Sequence, residues 1–286
     1  MKILLIGAQG QLGSDLVNCL EDHTLISLAH KDLDITDKEA CKKIVEVHKP
    51  AIVINTAAFH VVDACEEEIK KSFLVNAIAL KHLCLFCNEN KSTLVHFSTD
   101  YVFDGKKKQP YAEEDMPNPL SVYAMSKLAG ELMIKRYCTN YFLIRTSGLY
   151  GVAGSSGKGG NFVETMIRLA KEDKDLRVVN DQILTPTSTK VLALKIKGLI
   201  QTKKFGLYHI TNNGQCSWYE FAQKIFEYLS MKPKLSSITT QEFGAKALRP
   251  SYSVLAHNHL KDVGLDDLPY WSISLKEYLQ EKGYLH

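Results

Sequence analysis

No stretch of the 286-residue sequence approaches the roughly 20 consecutive apolar residues that a bilayer-spanning helix requires, so no membrane partner is expected. The first residues, MKILLIGA, carry one positive charge and an apolar run too short for a secretory signal, and glycines follow at once. Charge of one sign is scarce as well. Lys and Arg number 35 against 32 Asp and Glu, a formal +3, and the basic residues are dispersed. The local run Lys106-Lys107-Lys108 reads as a solvated turn, and no nucleic-acid partner is expected without a larger basic surface. The seven cysteines are odd in number and scattered, which predicts reduced thiols in a cytoplasm. Cys84 and Cys87 form a C-x-x-C, but the segment ALKHLCLFCNEN looks helical and only His82 stands near. That is too few ligands for zinc, so these read as buried helix cysteines and no metal is expected. No internal repeat is present.

What is present is alternation. With 45% hydrophobic and 23% charged residues, the chain has the composition of a soluble globular protein of one large or two modest domains. KILLIG (2–7) is a continuous apolar run, as in a parallel strand buried on both faces. Helical spacing follows at Leu12, Leu16, Val17 and Leu20. HTLISLA, PAIVINTAA, STLVHFST and YFLIRTS read as further strands; DKEACKKIVEVHK, a long segment over about 66–90 and NPLSVYAMSKLAGELMIKRY read as helices between them. Repeated β-α-β units predict an α/β fold with a Rossmann-like, doubly wound parallel sheet and a ligand crevice at the strands' carboxyl ends. After residue 150 the texture changes. A glycine-rich run over 151–161 reads as a mobile loop, and short strands and amphipathic helices follow, including SWYEFAQKIFEYLS, whose aromatic stripe reads as core. The expected division is a dinucleotide-binding domain over 1–150 and a smaller α+β substrate lobe over 151–286, with the chain returning to the main sheet around 176–210.

Two patterns carry chemistry. Gly7, Gly10 and Gly13 give G-x-x-G-x-x-G at the first strand-helix junction, where glycines let backbone approach a pyrophosphate at a helix N-terminus. Tyr123 and Lys127 stand four apart in SVYAMSK, which places them on one helix face with Cβ atoms about 5–6 Å apart. Together these resemble the extended short-chain dehydrogenase/reductases, whose signatures are this glycine spacing and a Tyr-x-x-x-Lys pair. That family places a serine or threonine about two dozen residues upstream, at a strand end; HFSTDYVFDG supplies Thr99, with Ser98 beside it. The segments LDITD, NTAAF, VDACE, STDYVFDG, NFV, VVNDQ, TPT and RPSYSVL narrow the resemblance to the dTDP-4-dehydrorhamnose reductase family, over nearly the whole chain.

The resemblance implies reduction of a 4-keto sugar carried on dTDP by a reduced nicotinamide, for surface polysaccharide synthesis, with Tyr123 donating the proton. Lys127 would lower the phenol's pKa and hold the nicotinamide ribose, and Thr99 would align the keto oxygen. Gly10, Gln11 and Leu12 would hold the pyrophosphate side, Asp34 and Ile35 would border the adenine, and Ala57, Ala58, Phe59 and Ser98 would line the cofactor. Thr99 and Asp100 would face the sugar, with Asn161, Phe162, Arg249 and Ser253 at the nucleotide end. A surface ion pair is the other reading of Arg249; Asp181 and Gln182 read as braces and His60 as a satisfied loop histidine. Where many relatives read TSW.YG this chain has TSGLYG, so Gly148 replaces an aromatic wall of the sugar pocket. Gly148→Trp is expected to lower KM if the backbone accepts a side chain. Some members bridge a dimer through magnesium; here Asp15 fits one position, but Lys190 takes the other and a protonated lysine cannot ligate. The second strand runs into Ala29, His30 and Lys31 before Asp32, which predicts a modest preference for NADPH with NADH still used. The protein is expected to be a monomer or homodimer. A related nucleotide-sugar reductase or epimerase, and a non-catalytic subunit resembling the regulatory subunit of methionine adenosyltransferase, are the alternatives.

Overall fold

The computed structural model describes residues 1–154 and 160–285. The first half builds strand by strand: β1 (Lys2–Ile6), α1 (Gln11–Cys19), β2 (Thr24–Leu28), α2 (Lys38–His48) and β3 (Ile52–Asn55). Between β3 and the next strand run α3 (Val62–Glu67), α4 (Ile69–Phe73), a π-helical turn (Leu74–Ile78) and α5 (Ala79–Glu89). β4 (Thr93–Thr99), α6 (Val122–Tyr137) and β5 (Tyr141–Thr146) complete this half. The segment read as one helix over 66–90 is therefore interrupted. Its π turn is set by a tertiary contact: the buried Asn76 amide accepts from Phe59 N and donates to Phe59 O and Ser126 Oγ, each at 2.9 Å.

The rest of the chain gives β6 (Leu149–Tyr150), α7 (Phe162–Lys171), β7 (Leu176–Val179), β8 (Ile183–Leu184), β9 (Thr187–Ser188), α8 (Thr189–Thr202) and β10 (Gly206–His209). β11 (Cys216–Ser217), α9 (Trp218–Tyr228), β12 (Leu235–Ile238), α10 (Thr240–Phe243), α11 (Asn258–Asp262) and α12 (Trp271–Glu281) follow. One six-stranded sheet has the order β10-β5-β4-β3-β1-β2, and all its pairs are parallel. β10 brings the chain back to the main sheet, whereas β7 pairs with β12 outside it.

Strand periodicity splits the core in two. Ile3, Leu5, Ile54, Val95, Phe97 and Ile144 pack under α1 and α8, while Leu4, Ile6, Val53, Leu94 and Leu143 pack under α2, α5 and α6. Each fully buried aliphatic stabilises the fold by about 1.5–3 kcal/mol. A third cluster, built on Phe221, Ile225, Trp271 and Leu275, holds the region after residue 150 together. The aromatic stripe of α9 belongs to that cluster. No helix among the described residues is long and apolar enough to cross a membrane.

Candidate active site

The sheet reverses direction of winding between β1 and β3, and ligands of such sheets bind in the crevice at that switch point. Gly7 follows β1 at φ +85°, and a Cβ there would lie 2.4 Å from Thr56 Oγ1, just past β3. A Cβ on Gly13 would lie 2.2 Å from Gly7 O. A Cβ on Gly10, by contrast, would meet among the described residues only Gly7 O at 3.4 Å, and Gly10 caps α1 with no side-chain hydrogen bond. Two glycines thus close the turn on itself, and the third leaves an open surface beside the unsatisfied N–H groups of a helix start. That fits a dinucleotide's pyrophosphate. Leu12 is buried beneath this turn, and Gln11 Oε1 accepts from Gly151 N at 3.0 Å, tying it to the loop after β6.

At the carboxyl end of β4, Thr99 is buried and its hydroxyl donates to Asp100 Oδ1 at 3.1 Å and accepts from Tyr101 N. The half-buried phenol of Tyr123 lies beside it. Burial pushes that phenol above its ordinary range, and the neighbouring Thr99 hydroxyl pulls the other way. Ser121 caps α6, so Tyr123 lies in the first turn and Lys127 one turn further in. Lys127 is buried, and its Nζ donates to Phe97 O at 2.6 Å and sits 3.2 Å from His96 Nε2. Burial pulls it down to about 8, against an upward pull from Glu131. In this arrangement the lysine turns to the strand beneath it rather than to the phenol.

Asp100 is buried and accepts from Ser253 Oγ at 2.5 Å and Ser147 Oγ at 2.8 Å as well as from Thr99. Burial raises its carboxyl to about 6, with those donors opposing. Ser253 therefore points at Asp100. Arg249 forms a two-pronged pair with Asp63, at 2.8 and 3.2 Å, and lies beside Tyr101, whose ring meets Tyr123 edge-on at 6.1 Å. The ion-pair reading of Arg249 describes this contact.

Other expected residues lie where strand or helix geometry sends them. Even-numbered positions of β4 face α6, so the Ser98 hydroxyl, expected beside the cofactor, reaches Glu131 Oε1 at 2.5 Å. Asn161 caps α7 and bonds Gly151 O and Tyr278 Oη, and Phe162 stacks on Phe221 at 5.5 Å; both side chains are engaged in their own lobe. Asp34 accepts from Thr36 N and Oγ1, and Ile35 is buried. The Ala57-Ala58-Phe59 loop follows β3 and is pinned through Asn55 and Asn76. Asp181 and Gln182 both bond Thr240, as braces do, and His60 Nδ1 sits 3.2 Å from Ala58 O. The expected loop over 151–161 includes residues 155–159, which lie outside the described residues. Asp15 accepts from Thr189 Oγ1 at 2.5 Å, while Lys190 pairs with Glu281 at 3.0 Å.

Gly148 does not behave as a vacant wall. Its φ is +56°, and a Cβ would lie 2.9 Å from Leu184 Cδ1, 3.1 Å from Pro186 Cα and 3.2 Å from Thr185 O. A side chain there is strained and crowded, which works against the condition on which the Gly148→Trp gain depended. The sequence reading also missed Asn55, Asn76, His96 and Glu131, all buried against the expected site residues. The one available signal was a polar residue inside an otherwise apolar strand, as with His96 in TLVHFST.

A parallel sheet switching at β1, with a Tyr-x-x-x-Lys helix laid over the end of β4, is the build of an extended short-chain dehydrogenase/reductase. Comparison with known proteins agrees and goes further. The family model described as RmlD substrate binding domain matches residues 1–283. The chain is 42% identical over 284 residues to the spore coat polysaccharide biosynthesis protein SpsK of Bacillus subtilis, covering 99% of this chain and 98% of that one. It is 35% identical to the dTDP-4-dehydrorhamnose reductase of Escherichia coli, covering 98% of each. A crystal structure of dTDP-4-dehydrorhamnose reductase from Bacillus anthracis in complex with NADP superposes with a TM-score of 0.93 at 40% identity, over 98% of this chain and all of that one. The chain belongs to the dTDP-4-dehydrorhamnose reductase family and is an NAD(P)H-dependent oxidoreductase. A UDP-glucose 4-epimerase of Thermus thermophilus, 18% identical with a TM-score of 0.81, shares the fold.

Proposed function

We propose that the protein reduces the 4-keto group of dTDP-4-dehydro-L-rhamnose, giving dTDP-L-rhamnose for a surface polysaccharide, in a bacterial cytoplasm. The observation that carries this is the placing of the Tyr123 phenol beside Thr99 at the carboxyl end of β4, one helical turn from Lys127. When bound, a reduced nicotinamide supplies the hydride. Tyr123 holds the proton at Oη, and its raised pKa keeps it protonated until a keto oxygen gains negative charge. Thr99 Oγ1 orients that oxygen and stabilises the charge developing on it. Lys127, turned from Phe97 O toward the crevice, holds the cofactor ribose and steadies the phenolate left behind.

Gly7, Gly10 and Gly13 with the first turn of α1 hold the pyrophosphate, and Asp34, Ile35 and the 57–59 loop border the adenosine and nicotinamide. Asp100 and Ser253 meet the sugar, and Arg249 takes the diphosphate by exchanging Asp63 for it. Asn161 and Phe162 shape that wall from within the lobe. The cofactor side is assigned to residues 1–150 with the returning β10, the substrate side to the remainder of 151–286. His30 and Lys31 are exposed after β2, and the Asp32 carboxylate is tied to Ala29 N at 2.9 Å, which supports a modest NADPH preference. The test is to mix the protein with NADPH and dTDP-4-dehydro-L-rhamnose, follow loss of NADPH absorbance and identify the product by NMR. Turnover to dTDP-L-rhamnose is expected. Purified protein carrying stoichiometric, non-dialysable NAD and failing to consume NADPH would instead indicate an epimerase.

A further inference from the structure

We propose that Asn55 and His96 are positioning residues that set the proton count of Lys127 and link it to the Ala57 loop. The Ala57 N–H donates to Asn55 Oδ1 at 3.0 Å. That contact fixes the amide, so Asn55 Nδ2 faces His96 Nδ1 at 3.3 Å and donates to it. Burial, and then the charge of Lys127, hold His96 well below its ordinary pKa against an upward pull from the Asn55 backbone, so the ring is neutral and carries a single proton. With Nδ1 accepting, that proton is on Nε2, which points at Lys127 Nζ from 3.2 Å. An N–H there needs a lone pair, and an ammonium has none. Lys127 as an amine satisfies every contact: it accepts from His96, donates to Phe97 O and keeps one N–H free.

Protonating Lys127 therefore rearranges the whole chain. His96 must present Nε2 as an acceptor, its proton moves to Nδ1, the Asn55 amide turns over, and Ala57 N–H loses its acceptor. Asn55 and His96 are register partners on adjacent strands, so neither can drift out of this contact. The titratable and charged groups around Lys127 are Tyr123 and Glu131 on α6, His96 on β4, and Arg145 on β5, which is closed on Glu131. Glu131 pulls the lysine toward its charged form; burial and the His96 N–H pull the other way. Resting on the proposed cofactor site, the consequence is that a ligand bordering Ala57 and the charge on Lys127 are coupled.

Two measurements test this. In the free protein near pH 8.5, ¹⁵N NMR of His96 is expected to place the N–H on Nε2; an N–H on Nδ1 overturns the proposal, and no cofactor is needed to see it. NADPH affinity, followed by cofactor fluorescence, is expected to fall as pH rises through the Lys127 midpoint, and Lys127→Met removes that fall. His96→Gln offers the lysine a carboxamide oxygen, and the fall is then expected about one pH unit higher, ten-fold in proton affinity. A folded His96→Gln protein with an unmoved midpoint overturns the proposal. Wild type that binds no NADPH at any pH defeats the cofactor assignment instead, and the tautomer still decides the positioning role.

Discussion

Two buried ionisable side chains lie one turn apart on the same face of α6, and their surroundings could hardly differ more. Glu131 is fully buried and saturated: it accepts from Arg145 Nε at 2.9 Å, Arg145 Nη2 at 2.7 Å and Ser98 Oγ at 2.5 Å. Arg145 in turn lies over the Phe103 ring, 5.1 Å from its centroid. Lys127, buried to 3% exposure, hydrogen-bonds among the described residues to a carbonyl and an imidazole and to no carboxylate. A buried pair with every donor and acceptor matched holds a structure in register; a buried cation without a counter-charge is strained toward losing its proton or finding an anion. Moving from Ile134 to Glu131 to Lys127 to the half-exposed Tyr123, the helix passes from apolar core to bracing pair to reactive end.

The largest effect expected at the reactive end is on chemistry. Tyr123→Phe should lower kcat by about 10²–10⁴-fold with NADPH affinity nearly unchanged, read from steady-state kinetics and cofactor titration. Near-normal turnover would remove Tyr123 from the role of proton donor. The contrast itself is tested by denaturant unfolding of two variants. Glu131→Ala leaves Arg145 buried and unpaired and should cost about 3–5 kcal/mol of stability. Lys127→Met should cost little stability while abolishing most activity. If both variants lose the same stability, the distinction between the two charges collapses.

Asp100 sharpens the comparison through pH. Its folded pKa is about 6, above the 3.8 of an unperturbed aspartate, so the folded state prefers the protonated form. The stability it confers is complete below pH 3.8 and is lost as pH rises through about 6. Two pKa units correspond to about 3 kcal/mol. Asp100→Asn should flatten the dependence of the unfolding free energy on pH over this interval, and an unchanged slope would mean the carboxyl is not strained. Smaller again is Gly148→Trp, which should destabilise by about 1–3 kcal/mol through its left-handed backbone, with no gain in KM for the sugar nucleotide. The smallest effect belongs to the rim, where water screens charge. Lys31→Ala should reduce kcat/KM several-fold with NADPH and barely with NADH, about 1 kcal/mol or less. Equal losses with both cofactors would show that Lys31 does not read the ribose phosphate.

The features legible in the sequence are those fixed by local pattern. Apolar runs at β1, β3 and β4, the glycines after β1 and the four-residue spacing of Tyr123 and Lys127 each report on a few consecutive residues. The features that escaped depend on distant partners. The helix over 66–90 breaks because Asn76 reaches back to Phe59 and because a Cβ on Gly130 would lie 2.2 Å from Asn76 O, a contact between segments 54 positions apart. LRVVND has strand character, but whether it joins the main sheet depends on β12, which pairs with it nearly sixty residues later. Gly148 reads as a missing side chain until Leu184, Thr185 and Pro186 are seen filling the space. Lys127 reads as a cation beside a phenol until β4 supplies the imidazole and carbonyl it contacts.

The place of β10 at the end of the sheet sets a timetable for synthesis. Gly206 follows Thr146, the last residue of β5, by sixty positions, so the outer edge of β5 leaves the ribosome well before its partner exists. At 5–20 residues per second the wait is about 3–12 s. During it, Phe142 and Ile144 lack α8, which lies between them and solvent in the finished fold, and the open edge offers a row of unpaired backbone groups to any passing strand. The nascent chain therefore meets its greatest risk of aggregation, and its greatest use for a chaperone, after the glycine turn and the Tyr-Lys helix have already been made.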